Sequence, residues 1–321
     1  MRLSVVAEYR DTPSEGINVV SKTLIDDLRS LGNDVHILSP RSISQILVNT
    51  ILAKPSVIVF THGPGQRTVF VSWVLRLLTR VTIVWLATRP DVARCPRWLM
   101  GHETAHVVIC NRSRRDLEAV APHARILEQP IGIAPERLEA SGGPRLWPEV
   151  RRKGVPIGVH VGHLRTTRGL DRLVETKRLL GNRIEIVVQV SPYFVPSAGV
   201  EEELVQSGIH VVRGYVARVA DIYRSADVYL FPVPPEQEGA IELPLSVLEA
   251  VACSTPVIST PFGVLTQTLS GVSGVSFATS VKFAEAVQTW VSTPNAERPH
   301  GLPDKLNAHR LAKLVLDQAR S

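Results

Sequence analysis

The residues best suited to chemistry lie in two stretches of the second half of the chain. The first is a loop after the apolar run Ile157 to Val161 and carries His163, Arg165 and Arg168. A guanidinium holds a phosphate with a planar fork of donors and keeps its charge near neutral pH. A histidine helps only when protonated or as a neutral donor. The second stretch is EQEGAIELPLSVLEAVACSTPVISTPFG, Glu236 to Gly263. It reads as an acidic, glycine-containing loop to Glu242 and a proline-started helix from Leu243 to Cys253. A buried strand, Pro256 to Ser259, and a second loop, Thr260 to Gly263, complete it. A loop, a helix N-terminus and a strand end meet there, which is where open α/β sheets bind phosphorylated ligands. Glu249 stands in the helix, an acid among apolar neighbours. In the first half, His62 sits at a strand end before Gly63-Pro64-Gly65. Gly16 opens a helix whose first N–H groups could approach an anion.

Each of these residues also has a plainer reading. Glu249 could be a solvated position on an amphipathic helix, and Glu242 a carboxylate that favours a helix N-terminus. Arg168 could be an ordinary exposed loop arginine, His62 a structural histidine, and Gly16 part of a helix-starting turn.

Composition narrows the classes. The 321 residues are enough for two domains. Cys95, Cys110 and Cys253 form no CxxC or Cys/His cluster. That argues against a zinc site or disulfide scaffold and fits a reducing compartment, with the three as buried small hydrophobes. MRLSVVAEYR is too short an apolar run for a signal peptide and reads as a first strand. No apolar run is long enough to span a bilayer. A cytoplasmic protein is expected. The net charge of +6 favours anionic partners, but no nucleic-acid motif accompanies it.

The elements that must position these residues alternate. Leu3 to Ala7 is a strand. Ile17, Val20, Leu24, Leu28 and Leu31 follow at helical spacing and stop at Gly32. Val35 to Leu38, Val57 to Phe60, Thr82 to Leu86, Val107 to Cys110 and Ile126 to Gln129 are the next strands. Helices over Ser44 to Ala53, Val69 to Leu78 and Ser113 to Val120 separate several of them. SGGPRLWPEVRRK, Ser141 to Lys153, reads as a linker. The alternation then restarts: strands at Ile157 to Val161, Ile184 to Val190, Ile209 to Val212 and Val228 to Phe231, with helices at Leu170 to Leu180, Val200 to Ser207 and Val219 to Ala226. Val281 to Val291 and Asp304 to Gln318 are terminal helices. The expected division is a first domain over 1–145, a linker over 146–154 and a second domain over 155–321. Its terminal helices could pack back on the first domain. The expected class is α/β, with two doubly wound, Rossmann-like domains facing a central cleft.

Four motifs in order make the resemblance specific. Val161-Gly162-His163-Leu164 with Arg168-Gly169-Leu170 is similar to a "VGRL…KG" element. YRSADVYLFP, Tyr223 to Pro232, is similar to "YxxADVxxxPS". LPLSVLEAVACSTPVIS, Leu243 to Ser259, is similar to "LPLxxLEAMAxGxPVVAS", and PIGIAPERL, Pro130 to Leu138, to "PNGVDxxxF". The chain resembles the retaining GT-B glycosyltransferases of family 4 (glycosyl transferases group 1). The resemblance implies transfer of a sugar from a UDP- or GDP-linked donor to a glycan, glycolipid or small-molecule acceptor, as in polysaccharide biosynthesis. Glu249 would accept hydrogen bonds from the ribose hydroxyls. Arg168 and His163 occupy the positions of the basic pair that holds the diphosphate, and Arg165 could substitute for His163. The first glutamate of the family's pair would fall at Ile241. Glu242 lies one residue late and Glu238 three early, and Glu242 is favoured for the sugar hydroxyls. His62 matches a histidine that faces the donor sugar, and Glu15-Gly16 a loop near the donor phosphates. No D-x-D motif is present, so neither a metal nor another cofactor is expected. Charge on the leaving diphosphate would be met by basic side chains and helix N-termini.

The helix VFVSWVLRLLTR, Val69 to Arg80, reads first as core. Its alternative is a surface touching anionic membrane, which would make the protein peripheral at the inner membrane face. Two rival functions remain. One is a GT-B-fold epimerase, which needs more acids in the cleft, or a phosphorylase, which needs a pyridoxal lysine where lysines are sparse. The other is a non-catalytic subunit that binds a nucleotide-sugar, consistent with the displaced first glutamate and with His163.

Overall fold

The computed structural model describes residues 1–7, 16–87, 104–122, 124–190, 195–214, 216–236, 241–293 and 297–320. Cys95, Glu15 and Glu238 lie outside them. The chain forms two compact units, Met1–Gly132 with Lys305–Ser321, and Ile133–Asp304.

The first unit alternates β1 (Arg2–Val6), α1 (Gly16–Ser30), β2 (Asp34–Leu38), α2 (Ile43–Ala53), β3 (Val57–Phe60), α3 (Gln66–Leu78) and β4 (Thr82–Ala87). It continues with β5 (Thr104–Val108), α4 (Asn111–Val120) and β6 (Arg125–Glu128). All six strands are parallel, in the order β2-β1-β3-β4-β5-β6. The uncharged run VIVF of β3 is buried along its whole length, as expected of a parallel strand covered on both faces. Phe60 stacks on Trp85 at 4.3 Å between ring centroids, and Ile58, Leu75 and Ile83 pack around them.

Strand β5 starts at Thr104, earlier than the apolar run Val107 to Cys110 suggests. Its inner position His106 is 1% exposed and parallel to Trp85, so a polar letter hides a core residue. Cys110 instead caps α4, its Sγ accepting from the Ser113 N–H at 3.5 Å. Helix α3 begins at Gln66 rather than Val69 because the Thr68 hydroxyl accepts from the Gly65 N–H at 3.1 Å.

The second unit contains β7 (Ile157–Gly162), α5 (Leu170–Leu180), β8 (Glu185–Val190), α6 (Val200–Gln206), β9 (His210–Arg213) and α7 (Val219–Ser225). Then come β10 (Val228–Phe231), α8 (Leu245–Ala252), β11 (Val257–Ser259), α9 (Leu265–Leu269), β12 (Val275–Phe277) and α10 (Phe283–Ser292). The parallel order is β12-β11-β10-β7-β8-β9. Counted within the unit, this is the doubly wound dinucleotide-fold order, and its switch point lies between β7 and β10. In the first unit the switch point lies between β1 and β3. Leu173, Ile186, Val188, Leu230, Phe283 and Val287 centre the second core. Helix α9 and strand β12 have no counterpart in the sequence reading, since each is too short to show a period.

The division falls at 132/133 and not at 145–155. The expected linker is tied to the second unit by the Ser141 N–H to Asp221 at 2.9 Å, the Leu146 N–H to Ser225 Oγ at 2.8 Å, and Arg151 to the Ser225 carbonyl at 2.5 Å. Trp147 is buried as well. The C-terminal helix, His309–Arg320, belongs to the first unit. His309 Nδ1 lies 2.7 Å from Asp27 Oδ1 on α1, and Gln129 donates to the Lys305 carbonyl at 3.0 Å.

Candidate functional site

Close backbone approaches stitch together the loops at the carboxyl ends of β7, β10 and β11. Gly169, which caps α5, has φ +68°, and a Cβ there would lie 2.1 Å from the Pro232 carbonyl oxygen just past β10. Gly263 has φ +54°, and its Cβ would lie 2.1 Å from the Glu242 carbonyl oxygen. Only glycine meets both the backbone angle and the space at these positions. The Thr260 hydroxyl donates to the Val233 carbonyl, and the Val264 N–H to that of Glu242 at 2.9 Å.

Strand β7 carries His160 into the switch point. Its Nδ1 lies 2.9 Å from the Leu230 carbonyl oxygen, so Nδ1 bears the proton and donates to β10. Burial pushes its pKa down to about 4, with the Arg168 charge adding to the effect. After β7 the chain turns through Gly162, His163 and Leu164 into a short 3-10 helix, Thr166–Arg168. His163 is half-buried. Burial first, then the charges of Arg168 and Arg165, push its pKa down to about 4. It is therefore neutral at pH 7, and the positive charge of this loop is that of Arg165 and Arg168.

Glu249 sits on α8 beside the buried Leu248, Ala250 and Val251 and is itself 3% exposed. The Tyr223 hydroxyl of α7 donates to its Oε2 at 2.9 Å, and Arg137 Nε donates to its Oε1. Arg137 comes from another 3-10 helix, Pro135–Leu138. Burying a carboxylate is costly unless it is paired and hydrogen-bonded, and these two donors meet that need. Tyr223 is raised well above the ordinary phenol range by burial and then by the Glu249 charge, which keeps it a donor. Tyr229, edge-on to Tyr223 at 5.4 Å, is also raised by burial; the charge of Glu249 raises it further and that of Arg168 lowers it. The arginine loop and the carboxylate thus act on the same buried phenol.

Residues 155–293, most of this unit, match the family model of glycosyl transferases group 1. This stretch resembles a glycosyl transferases group 1 domain. Over 141 residues, 42% of the chain, it is 33% identical to a putative teichuronic acid biosynthesis glycosyltransferase, TuaC, of Bacillus subtilis (strain 168). The match spans 33% of that relative's length. Solved structures share the fold of the whole chain. Sucrose-phosphate synthase from Thermosynechococcus elongatus aligns with a TM-score of 0.72 at 14% identity, over 100% of this chain and 96% of its own. The apo structure of OtsA aligns with 0.73 at 13%, over 100% and 99%. Anabaena HepE in complex with UDP and glucose aligns with 0.66 at 12%, over 100% and 97%. The architecture is the GT-B fold of two Rossmann-like domains.

Within the second unit, His163, Arg165, Arg168, Glu242 and Glu249 all lie on elements or loops around the carboxyl ends of β7, β10 and β11. Glu249 is not the solvated position that its place off the leucine stripe permitted. Glu242 is half-buried, its main chain fixed by Val264 and Gly263. In the first unit, Gly16 is the first residue of α1, and His62 follows β3 with its Nδ1 3.1 Å from the Thr61 hydroxyl. Their parent loops leave β1 and β3, the two strands flanking that unit's switch point. Arg137 and Tyr223 were missed as partners of Glu249. Both lie inside quoted motifs, but sequence separations of 112 and 26 residues leave no local period to join them.

Proposed function

We propose that the protein is a glycosyltransferase that takes a sugar from a nucleotide-sugar and passes it, with retention, to a hydroxyl of a glycan, glycolipid or small molecule. The observation that carries this reading is the joint setting of Arg165, Arg168 and the buried, doubly hydrogen-bonded Glu249 around the switch point of a unit that matches glycosyl transferases group 1. Arg168, with Arg165, takes the diphosphate, and Glu249 accepts from the ribose diol. Glu242 contacts the sugar hydroxyls, with Glu238 as the alternative acid.

In the transfer, the bond from the anomeric carbon to the diphosphate oxygen breaks as the acceptor oxygen bonds to that carbon. The acceptor proton passes to the leaving phosphate oxygen. The two guanidinium groups stabilise the charge that develops there, so the donor step needs neither metal nor cofactor. HepE was solved with UDP and glucose, and another GT-B relative, trehalose-6-phosphate from E. coli, with UDP-2-fluoro glucose. UDP-linked donors are accordingly the first to test, before GDP-linked ones. The absence of a glutamate at position 241 supports one other reading, a subunit that binds the donor without transfer.

Calorimetric titration of UDP and GDP tests the site. Arg168→Ala is expected to weaken binding of the preferred nucleotide by roughly 10–100-fold, the loss of one or two charge-assisted hydrogen bonds, and to leave uridine or guanosine binding unchanged. Glu249→Gln should weaken both the nucleotide and its nucleoside. Unchanged affinity in a folded Arg168→Ala variant moves the diphosphate to Arg165. Unchanged affinity in Glu249→Gln removes the ribose assignment. Tight binding without transfer to any of a panel of acceptors favours the binding subunit.

Since His163 has a pKa lowered to about 4, it contributes no titration between about pH 6 and 8. His163→Gln should therefore leave the pH profile of UDP affinity in that range in place. A variant that abolished an inflection near pH 6.5 would show that His163 works as a cation.

A further inference from the structure

The outer faces of α2 and α3 are the wrong kind of surface for a water-exposed α/β unit. Helix α2 buries Ile46 and Thr50 against the sheet. Its opposite side exposes Val48 (53%), Ile51 (41%) and Leu52 (74%). Helix α3 buries Val69, Val71, Ser72 and Leu75. Its opposite side exposes Phe70 (51%), Leu77 (65%) and Leu78 (61%). The two helices pack side by side and run in the same direction, since each connects parallel strands. On α1 and α5 the outer face is mainly polar, the ordinary rule for a surface helix. Lys22, Asp26 and Arg29 occupy that face of α1, and Asp171, Glu175 and Arg178 that of α5. Contiguous exposed apolar area of this kind marks a contact surface.

The charge pattern selects the occupant. The sequence holds no aspartate or glutamate from Val35 to Pro90. Basic residues flank both helices: Arg41 precedes α2 and Lys54 ends it, Arg67 and Arg76 stand in the first and last turns of α3, and Arg80 follows. A second copy of this chain would bring one basic rim against another. A broad apolar face with a basic rim and no acid complements an anionic bilayer, into whose interface the side chains insert while the arginines meet lipid phosphates.

We propose that α2 and α3 together form a peripheral docking face for anionic lipid. From its sequence alone, α3 reads as core or as a membrane surface. The structure shows α3 with a core stripe and a separate exposed apolar stripe, and adds α2 as a second element of the same face. The inference does not depend on the sugar-transfer reading, because it uses none of the proposed donor-site residues.

Flotation of the full chain with vesicles tests it. The protein is expected to float with phosphatidylcholine vesicles containing phosphatidylglycerol and not with pure phosphatidylcholine, and to be released as salt is raised. Leu52→Glu and Leu77→Glu place charges on side chains already in water, so the thermal melt should hold while vesicle affinity falls at least about tenfold. Arg67→Gln and Arg80→Gln should each cost about fivefold, and only on anionic vesicles. Failure to float with anionic vesicles overturns the proposal, as does unchanged flotation of a folded Leu52→Glu/Leu77→Glu double variant. A concentration-dependent dimer that the same double variant abolishes would also overturn it and assign the face to a second copy.

Discussion

Gly169→Ala is expected to destabilise the second unit by about 3 kcal/mol or more and to abolish nucleotide binding with it. Two costs act together. The position has φ +68°, where a residue with a Cβ is strained by about 1–2 kcal/mol. The added carbon would also stand 2.1 Å from the Pro232 carbonyl oxygen, which is backbone and can move only if the loop after β10 moves too. Gly199→Ala separates the two terms. Gly199 has φ +76°, but a Cβ there would meet nothing within 4 Å. It should therefore cost about 1 kcal/mol, the angular term alone. Urea unfolding of the two variants beside the parent checks the difference. Equal losses would mean that the Pro232 loop yields freely and that the glycine serves only the turn.

Acid should begin to destabilise both units above the pH at which carboxylates titrate. His106 in the first unit and His160 in the second each have a pKa lowered from 6.5 to about 4, in both cases chiefly by burial. The sign follows from where the proton binds. Between these two values the unfolded chain binds a proton that the folded chain refuses, so stability is full above pH 6.5 and falls until about pH 4. Each histidine accounts for about 3 kcal/mol over that window, a large share of a domain's stability. The two losses fall on separate units and are read separately. Denaturant midpoints at pH 7.5 and pH 4.5 should differ strongly, and His106→Gln should flatten the response of the first unit alone. A midpoint constant across the window would mean that one or both rings stay protonated in the fold.

Strands and helices with a clean period were legible from sequence, whereas features that depend on remote partners were not. Val57 to Phe60, Val228 to Phe231 and Leu170 to Leu180 have the bounds their apolar pattern gives, because nothing but burial decides them. The start of β5 was hidden by His106, a polar residue at a core position. The segment Ser141 to Lys153 has the Gly, Pro and charge of a linker, yet its backbone donors are taken by Asp221 and Ser225, and composition carries no trace of that pairing. The centre of the candidate site was legible at Glu249, since an acid inside an apolar helix stands out. Its burial and its two donors were not, because Arg137 and Tyr223 reach it from other elements. His163 was legible as a cation-loop residue, but its neutrality is set by burial and by two neighbouring arginines.

The return of the C-terminal helix to the first unit fixes an order of assembly on the ribosome. Gly132 has its Cα packed so closely against Leu306 to Ala308 that a Cβ would fall 2.3 Å from the Leu306 carbonyl oxygen, and Asp27 of α1 waits for His309. The first unit therefore lacks one of its walls until residues 305–320 are made. The second unit, continuous from Ile133 to Asp304, has every residue it needs before then. In vectorial synthesis the later-made half can close first, and the earlier-made half stays incomplete until residues 305–320 have emerged. A nascent chain stalled before Lys305 should protect the second unit from protease while leaving α1 and β4 open to cleavage. Shortening the chain from its C-terminal end is then a lesion of its N-terminal half.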